Sequence, residues 1–154
     1  MTSRDAIGRR AARIILTDAG DRVLLLHGID PGRPGHGYWF TVGGGLDVGE
    51  TPAQGAAREL HEETGLAVAP ETLGVPVWRE VVEFPFDGQW YRQEQEFFHL
   101  RVESWEVVPV LLSAEEARSL VGHRWWSLAE LRATTERCYP AELPDLVERL
   151  VLPC

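Results

Sequence analysis

Two short apolar runs near the start of the chain flank a polar turn. Residues 13–17 read RIILT and residues 22–27 read RVLLLH, with Asp, Ala, Gly and Asp between them. Apolar runs of this length around Gly and Asp are typical of two β-strands joined as a hairpin. Residues 30–37 are rich in proline and glycine and predict a loop. Residues 38–42 are aromatic and predict a strand that leads into three consecutive glycines.

The clearest predicted element is a helix over residues 52–64. Thr51 can cap its amino end, Pro52 occupies the first helical position, and Gln54 stands three residues after the cap. This spacing is that of a capping box. The run is rich in alanine, glutamate and leucine, and Gly65 provides a left-handed stop at its end.

The second half of the chain predicts strands and helices in alternation. Residues 75–84 and 91–102 read as long strands joined across a Pro-Phe-Asp-Gly turn. Ser113 begins a short helix, residues 123–126 form a last strand, and residues 141–150 form a terminal amphipathic helix. Strands interleaved with helices predict an α/β fold whose mixed sheet is covered on both faces.

The length and composition fit one compact domain over residues 1–154. No apolar run approaches the ~18 residues of a membrane span, and the N-terminal residues lack the pattern of a signal peptide. The two cysteines, Cys138 and Cys154, suit a reducing compartment better than a disulfide framework. We therefore expect a cytoplasmic protein with no membrane partner.

The net charge of −9 narrows the choice of partners. Nucleic-acid backbones are bound through basic patches, so this charge argues against a nucleic-acid partner. It does not argue against a small phosphorylated substrate, because divalent cations held by carboxylates supply a positive field.

Three glutamates gather on one face of the predicted helix. Glu59, Glu62 and Glu63 stand at positions i, i+3 and i+4, so their side chains lie within about one turn of each other. These carboxylates repel one another, and the negative end of the helix dipole makes their position unfavourable. Divalent cations on this face would relieve the repulsion, and oxygen-only ligands favour Mg²⁺ or Mn²⁺. The alternative is a solvated acidic face, which is common for a bare E-x-x-E-E.

The residues around the glutamates decide between these interpretations. They satisfy the pattern G-x5-E-x7-R-E-U-x-E-E-x-G-U, where U is bulky and apolar, at Gly44, Glu50, Arg58, Glu59, Leu60, Glu62, Glu63, Gly65 and Leu66. A chance match in such a chain is on the order of one in ten million at ordinary residue frequencies. This pattern is the Nudix signature, and the chain resembles the Nudix hydrolases over residues 44–66. The resemblance extends more loosely to GYWFTVGGG before the motif and RWWSLAEL after it.

The resemblance implies a fold, a reaction and a cofactor. The fold is an α/β/α sandwich with a mixed sheet, in which the motif forms a loop, a helix and a loop. The reaction is hydrolysis of a phosphoanhydride bond in a nucleoside diphosphate linked to another moiety, such as a nucleoside triphosphate, an oxidised nucleotide or a nucleotide sugar. The cofactor is Mg²⁺ or Mn²⁺. A homodimer is a frequent assembly in the family, and no interface is evident in the sequence.

The resemblance also assigns metal ligands. Glu62 and Glu63 would bind the metal, and Glu59 would be a further ligand or the general base that deprotonates the attacking water. Many members use one more glutamate outside the motif. In this chain the strand over residues 91–102 offers Glu96 for that role.

Two further motif positions have expected roles. Arg58 would hold a carboxylate, either Glu50 or Glu59, through a charge-assisted hydrogen bond, because its planar guanidinium fixes a carboxylate bidentately. Gly43 or Gly44 would offer a backbone carbonyl to the metal, since glycine permits the close approach.

Substrate-specifying residues are expected outside the motif. Two subclasses carry a tyrosine or a proline past the motif, and Val82, Glu83 and Phe84 stand there instead, so neither subclass is indicated. Trp39, Phe84 and Tyr91 offer rings on which a nucleobase can stack, and Arg92 offers a cation for a phosphate. The alternative is that these aromatic residues pack in the core or in a hairpin.

Two other functions compete with hydrolysis. An isopentenyl diphosphate isomerase of the same fold usually needs a catalytic cysteine and additional histidine ligands, and Cys138 lies far beyond the motif. A non-catalytic nucleotide-binding module on the same scaffold typically loses the glutamates, and all of them are present here. Hydrolysis is therefore the leading hypothesis.

Overall fold

The computed structural model describes residues 5–110, 112 and 114–152. Within these residues it contains seven strands, β1 Ile7–Thr17, β2 Val23–Asp30, β3 Arg33–Gly45, β4 Trp78–Phe86, β5 Gln89–Arg101, β6 Leu120–Trp126 and β7 Cys138–Tyr139. The helices are α1 Pro52–Thr64, α2 Ala114–Ser119, α3 Leu128–Ala133 and α4 Leu143–Val151, together with a short 3₁₀ helix, Pro70–Leu73.

The strands form one mixed sheet, as the alternating pattern predicts. The order is β4-β5-β1-β2-β3-β7, with β6 paired to β2 and an additional pairing between β1 and β3. The β1–β5 and β3–β7 pairs are parallel, and the other pairs are antiparallel. The α/β fold class is therefore confirmed.

The first two strands differ from the predicted hairpin. They pair at Thr17 and Val23, where the chain turns. Along its length, β1 instead pairs in parallel with β5, and its middle pairs with the end of β3. The apolar residues of β1 face both sides of the sheet, which suits a central strand with neighbours on each edge.

The predicted loop over residues 30–37 is wrong, because β2 ends at Asp30 and β3 already begins at Arg33. The Asp30 carboxylate makes the tight turn possible: its Oδ1 accepts from the backbone N–H of Gly32 at 2.8 Å. The same oxygen accepts from the N–H of Asp87, in the turn between β4 and β5, at 2.7 Å. Glycines that suggest a loop also tolerate the irregular pairing seen where β2 meets β3.

Helix α1 confirms its predicted bounds and both of its caps. The Thr51 side chain accepts from the N–H of Gln54, and the Gln54 side chain accepts from the N–H of Thr51. Gly65 adopts a left-handed conformation with φ of 82° and donates its N–H to the carbonyl of His61. These local bonds satisfy backbone groups at both helix ends.

Two buried cores lie on the two faces of the sheet. On one face α1 packs on β1 through Leu60, Ile14 and Leu16. On the other face α3 and α4 cover the sheet, with Ile15 and Leu143 among the buried side chains. The side chains of alternate β1 residues therefore pack in opposite cores, as expected for a strand inside a sandwich.

The second half of the chain shows four further differences from the predicted elements. The β4–β5 hairpin extends to a two-residue turn, and β6 begins three residues earlier than predicted. Helix α3, which has its own capping box between Ser127 and Glu130, was not predicted, and neither was β7. The predicted cap Ser113 lies outside the described residues. No helix in the described parts of the chain is long and apolar enough to cross a membrane.

Candidate active site

A cleft of about 1220 Å³ lies beside α1, between the loop after β3 and helix α2. Its walls carry opposite charges. The glutamates of α1 line one part, and Arg9, Arg10 and Arg13 of β1 line another. A cleft that places carboxylates and guanidinium groups around one space suits a phosphorylated ligand bound through a cation.

Arg58 joins the carboxylates of the motif. It binds Glu50 bidentately, with Nε to Oε2 at 2.8 Å and Nη2 to Oε1 at 2.9 Å. Its Nη1 also donates to Glu59 at 3.0 Å and to Glu62 at 3.2 Å. The bonds from Arg58 to Glu50 hold the pKa of the Glu50 carboxyl below its ordinary value. The sequence offered Glu50 or Glu59 as the partner of Arg58, and the structure gives it both.

Glu59 lies at the centre of the acidic wall and is 6% exposed. Its Oε1 is held by Arg58, while its Oε2 is buried and has no hydrogen-bond partner among the residues that the structure describes. Burial, followed by the negative charge of Glu116, raises the pKa of Glu59 to about 7. A buried carboxylate oxygen with no donor is costly unless a ligand compensates it.

Glu63 lies deeper than its neighbours and is 2% exposed. Its Oε1 accepts from the backbone N–H of Gly43 at 2.9 Å, which ties α1 to the end of β3. Burial raises the pKa of Glu63 well above its ordinary value, and the nearby charge of Glu59 acts in the same direction.

Glu116 of α2 lies in the cleft although no site role was predicted for it. Three carboxylate oxygens lie within 4.8 Å of one another, one from each of Glu59, Glu62 and Glu116. Glu63 is not part of this group. All three ligand atoms are oxygens, and together with the unpartnered Oε2 of Glu59 they fit a hard divalent cation such as Mg²⁺ or Mn²⁺.

The glycines before α1 allow it to approach the sheet. A Cβ placed on Gly44 would lie 2.8 Å from Oε1 of Glu59, so a side chain at this position would collide with the acidic wall. Gly43 has a φ of 138°, and a Cβ there would collide with the backbone carbonyl of Ala12. Packing and backbone conformation therefore require glycine at position 43, and a side chain at position 44 would displace the Glu59 carboxylate.

A second cavity, of about 460 Å³, adjoins the cleft. It lies on the α4 side of the sheet, and six residues line both spaces: Arg13, Tyr38, Phe40, Phe84, Phe86 and Gln93. Aromatic rings therefore stand at the junction between the two. The volume falls in the range typical of sites for small organic ligands.

The structure brings some of the predicted site residues together and leaves others apart. Phe84 lines both cavities. Trp39 is buried in the α3–α4 core, where it stacks on His27, because the alternation of β3 turns its ring to that side. Tyr91 stacks against Phe84 with ring centroids 5.7 Å apart, but it lines neither cavity.

Glu96 and Arg92 of β5 also lie outside both cavities. Glu96 accepts from Arg79 of β4 at 3.0 Å, so this carboxylate forms a cross-strand ion pair and does not join the acidic group. Arg92 is half exposed and lies 3.8 Å from Glu94. The arginines of the sheet that line the cleft belong instead to β1, at Arg9, Arg10 and Arg13.

The chain is similar in sequence to proteins of one family. A family model described as the NUDIX domain matches residues 8–146. The chain is 39% identical over 69 residues to an RNA pyrophosphohydrolase of Mesorhizobium japonicum, covering 41% of this chain and 40% of that protein. It is 31% identical over 105 residues to Nudix hydrolase 25 of Arabidopsis thaliana, covering 61% of this chain and 59% of that protein. The chain thus spans about half the length of these relatives.

A solved structure shares the fold. The crystal structure of a MutT protein from Methanosarcina mazei superposes with a TM-score of 0.61 over 94% of each chain, at 23% identity. This likeness concerns the fold, whereas the family match spans most of the chain and includes the complete motif around α1. The chain therefore belongs to the NUDIX domain family.

Proposed function

We propose that the protein hydrolyses a phosphoanhydride bond in a nucleoside diphosphate linked to another moiety, with Mg²⁺ or Mn²⁺ as cofactor. The substrate class includes nucleoside triphosphates, oxidised nucleotides and nucleotide sugars. The observation that carries the proposal is the convergence of Glu59, Glu62 and Glu116 in a cleft that Arg9 and Arg10 also line. Family membership supports the same reaction.

The acidic group would hold the cation. Glu62 and Glu116 are proposed as ligands, with Glu63 and the Gly44 carbonyl as further candidates from the motif. A bound divalent cation would neutralise charge on the phosphates and lower the pKa of a coordinated water. Glu59 would accept the proton of the attacking water or complete the ligand set, because its Oε2 is not engaged by another residue in the described structure.

The remaining charged groups would orient the reactants. Arg58 keeps the carboxylates of Glu50, Glu59 and Glu62 in fixed positions despite their mutual repulsion. Arg9 and Arg10 would contact phosphate oxygens that the cation leaves exposed. Phosphoanhydride hydrolysis depends mainly on such positioning and charge neutralisation.

An RNA 5′-triphosphate end is a second candidate substrate. The name of the Mesorhizobium relative favours it. The net charge of −9 argues against a long nucleic-acid contact. A free nucleotide remains the leading proposal.

A hydrolysis screen tests the reaction. The panel holds nucleoside triphosphates, 8-oxo-dGTP, ADP-ribose, diadenosine polyphosphates, nucleotide sugars and a short 5′-triphosphate RNA, with Mg²⁺ or Mn²⁺ present and then chelated. We expect turnover that disappears on chelation and in Glu62→Gln. Glu71→Gln is the matched control, because Glu71 is exposed on the 3₁₀ helix and should keep full activity.

Two results of this screen would count against the proposed function. If the folded protein binds Mn²⁺ but turns over no member of the panel, the non-catalytic binding module becomes the better proposal. If turnover survives in Glu62→Gln, the acidic group does not hold the essential metal.

A further inference from the structure

A polar network forms part of the wall of the smaller cavity. Gln93 and Gln95 of β5 are buried on the same face of the strand, where the pattern of the sheet leads one to expect apolar residues. Oε1 of Gln95 accepts from Nε of Arg13 at 3.0 Å and from Nε2 of Gln93 at 2.8 Å. Its Nε2 donates to Glu80 at 2.7 Å.

This network fixes the orientation of both amides. Arginine can only donate and a carboxylate can only accept, so Arg13 and Glu80 define which end of Gln95 is oxygen and which is nitrogen. Oε1 of Gln95 in turn requires the nitrogen of Gln93 to face it. The free end of the Gln93 amide is therefore its oxygen.

Two atoms along the wall are left without partners. Oε1 of Gln93 and Oγ1 of Thr41 are both buried and unpaired among the described residues, in side chains that are 1% and 0% exposed. Thr41 lines the smaller cavity, and Gln93 lines its junction with the cleft. Buried polar atoms are nearly always hydrogen-bonded, so a ligand in the cavity is the natural source of the missing partners.

Both buried atoms that lack a partner on this wall can accept a hydrogen bond. The Gln93 oxygen only accepts, and the Glu80 carboxylate accepts one bond from Gln95 and has further lone pairs. A matching ligand edge therefore presents neighbouring N–H donors.

The nucleobases differ in the number of neighbouring N–H donors on their hydrogen-bonding edges. Guanine presents its N1–H beside its 2-amino group, which gives two adjacent donors. Adenine offers an amino group beside an acceptor nitrogen, and uracil offers one N–H between two carbonyls. The rings of Phe84 and Phe86 at the junction suit a stacked planar heterocycle.

We infer that the smaller cavity binds the base of the nucleotide and selects a guanine-type base through Gln93, Glu80 and Thr41. This inference rests on the proposed function, because the phosphates of the same molecule would lie in the adjoining cleft. The network was not predicted from the sequence, although two glutamines at alternate positions of a buried strand are a recognisable signal.

The first test compares substrates that differ by one donor. We expect kcat/KM to fall in the order GTP, ITP, ATP, because ITP keeps the N1–H and lacks the 2-amino group. Gln93→Leu should reduce the GTP-to-ATP ratio at least tenfold, since a polar site loses its discrimination when its hydrogen-bonding group is removed. Gln89→Leu makes the same chemical change at an exposed position of β5, and the ratio should not change.

A second variant guards against misfolding. Thr41→Val removes a hydroxyl that has no partner in the described structure, so thermal unfolding should be unchanged while the GTP-to-ATP ratio falls. A wild-type enzyme with no base preference, or one that prefers ATP, would overturn the inference and leave hydrolysis standing.

Binding of the monophosphates separates the inference from the proposed function. Calorimetry with GMP and AMP needs neither turnover nor metal. Tighter binding of GMP that is lost in Gln93→Leu would support the inference even if no nucleotide were hydrolysed. Equal binding of GMP and AMP by wild-type protein would contradict the inference whatever the hydrolysis screen shows.

Discussion

At the scale of single residues, the arrangement of the carboxylates in the site depends on one arginine, whose guanidinium group binds several of them. Arg58 is mostly buried and binds Glu50 bidentately while it also reaches Glu59 and Glu62. A lysine keeps the charge but offers no planar fork. The arrangement of these carboxylates should therefore depend on the guanidinium shape and not only on the charge.

The first residue prediction concerns Arg58→Lys. We expect kcat to fall at least tenfold, and the free energy of unfolding to fall by about 1–3 kcal/mol, because buried charge-assisted bonds are lost. Urea denaturation and steady-state kinetics measure the two effects. Arg79→Lys is the control: Arg79 is 71% exposed and paired with Glu96, so its replacement should change stability by less than about 0.5 kcal/mol. Equal effects of the two substitutions would refute the prediction.

The second residue prediction concerns pH. Burial raises the pKa of Glu59 to about 7 from an ordinary value of 4.5, so between these values the folded metal-free protein binds more protons here than the unfolded chain. The free energy of unfolding should therefore fall as pH rises through this window, by at most about 3 kcal/mol from this residue. Glu59→Gln should remove this contribution in denaturation curves measured with a chelator at pH 5 and pH 8.

Other groups make the comparison with wild type necessary. Burial lowers the pKa of His99, which contributes a change of opposite sign near the same pH. The exposed control Glu71→Gln should keep the wild-type slope. A slope in Glu59→Gln equal to that of wild type would show that Glu59 is ionised throughout.

The part of the site that lies within one helix was predictable, and the part that depends on packing was not. Glu59, Glu62 and Arg58 share a helix face through spacing alone. Glu116 joins them from a helix some fifty residues later in the chain, and only the packing of α2 against the sheet decides that. Glu96 has an equally plausible sequence position, but the structure pairs it with Arg79 instead.

At the scale of elements, helix α1 is specified by its own ends. The capping box at Thr51 and the left-handed Gly65 are local signals, and the predicted bounds hold. Strand β3 was placed less well because its extent depends on its pairing with β2 and with the middle of β1, which the local sequence does not reveal. Local chemistry fixes a helix more completely than it fixes a strand.

The element prediction concerns the end of α1. Gly65 has a φ of 82°, and an added Cβ would lie 2.8 Å from the backbone carbonyl oxygen of Val108. Gly49 has a similar φ of 79°, with nothing within 4 Å of an added Cβ. Gly49→Ala should cost about 1–2 kcal/mol of unfolding free energy from conformation alone, and Gly65→Ala should cost more because of the contact. Equal costs in urea denaturation would mean that the Val108 segment moves aside freely.

At the scale of the whole molecule, cation binding should appear as stability. The carboxylates of the acidic group come from α1 and α2, which different parts of the chain supply. A cation bound only to the folded protein raises the free energy of unfolding by about 2.7 kcal/mol at a concentration one hundred times its Kd. Metal binding should therefore stabilise the fold as a unit.

The whole-molecule prediction is a metal-dependent melting temperature. Saturating Mn²⁺ should raise the Tm of wild-type protein by about 5–10 °C, and a chelator should reverse the shift. Glu116→Gln should greatly reduce the shift, while Glu96→Gln, the same change in a carboxylate outside the group, should keep it. A shift lost in Glu96→Gln but kept in Glu116→Gln would return the extra ligand to β5.

The carboxylate of Asp30 ties together two turns that no sequence neighbourhood connects, one between β2 and β3 and one between β4 and β5. Both turns stand at the rim of the smaller cavity, through Asp30 itself and Phe86. The two turns are therefore coupled through one carboxylate, and a change in the length of either turn should break its hydrogen bond to Asp30. A redesign of this rim for a new ligand would therefore have to change both turns together.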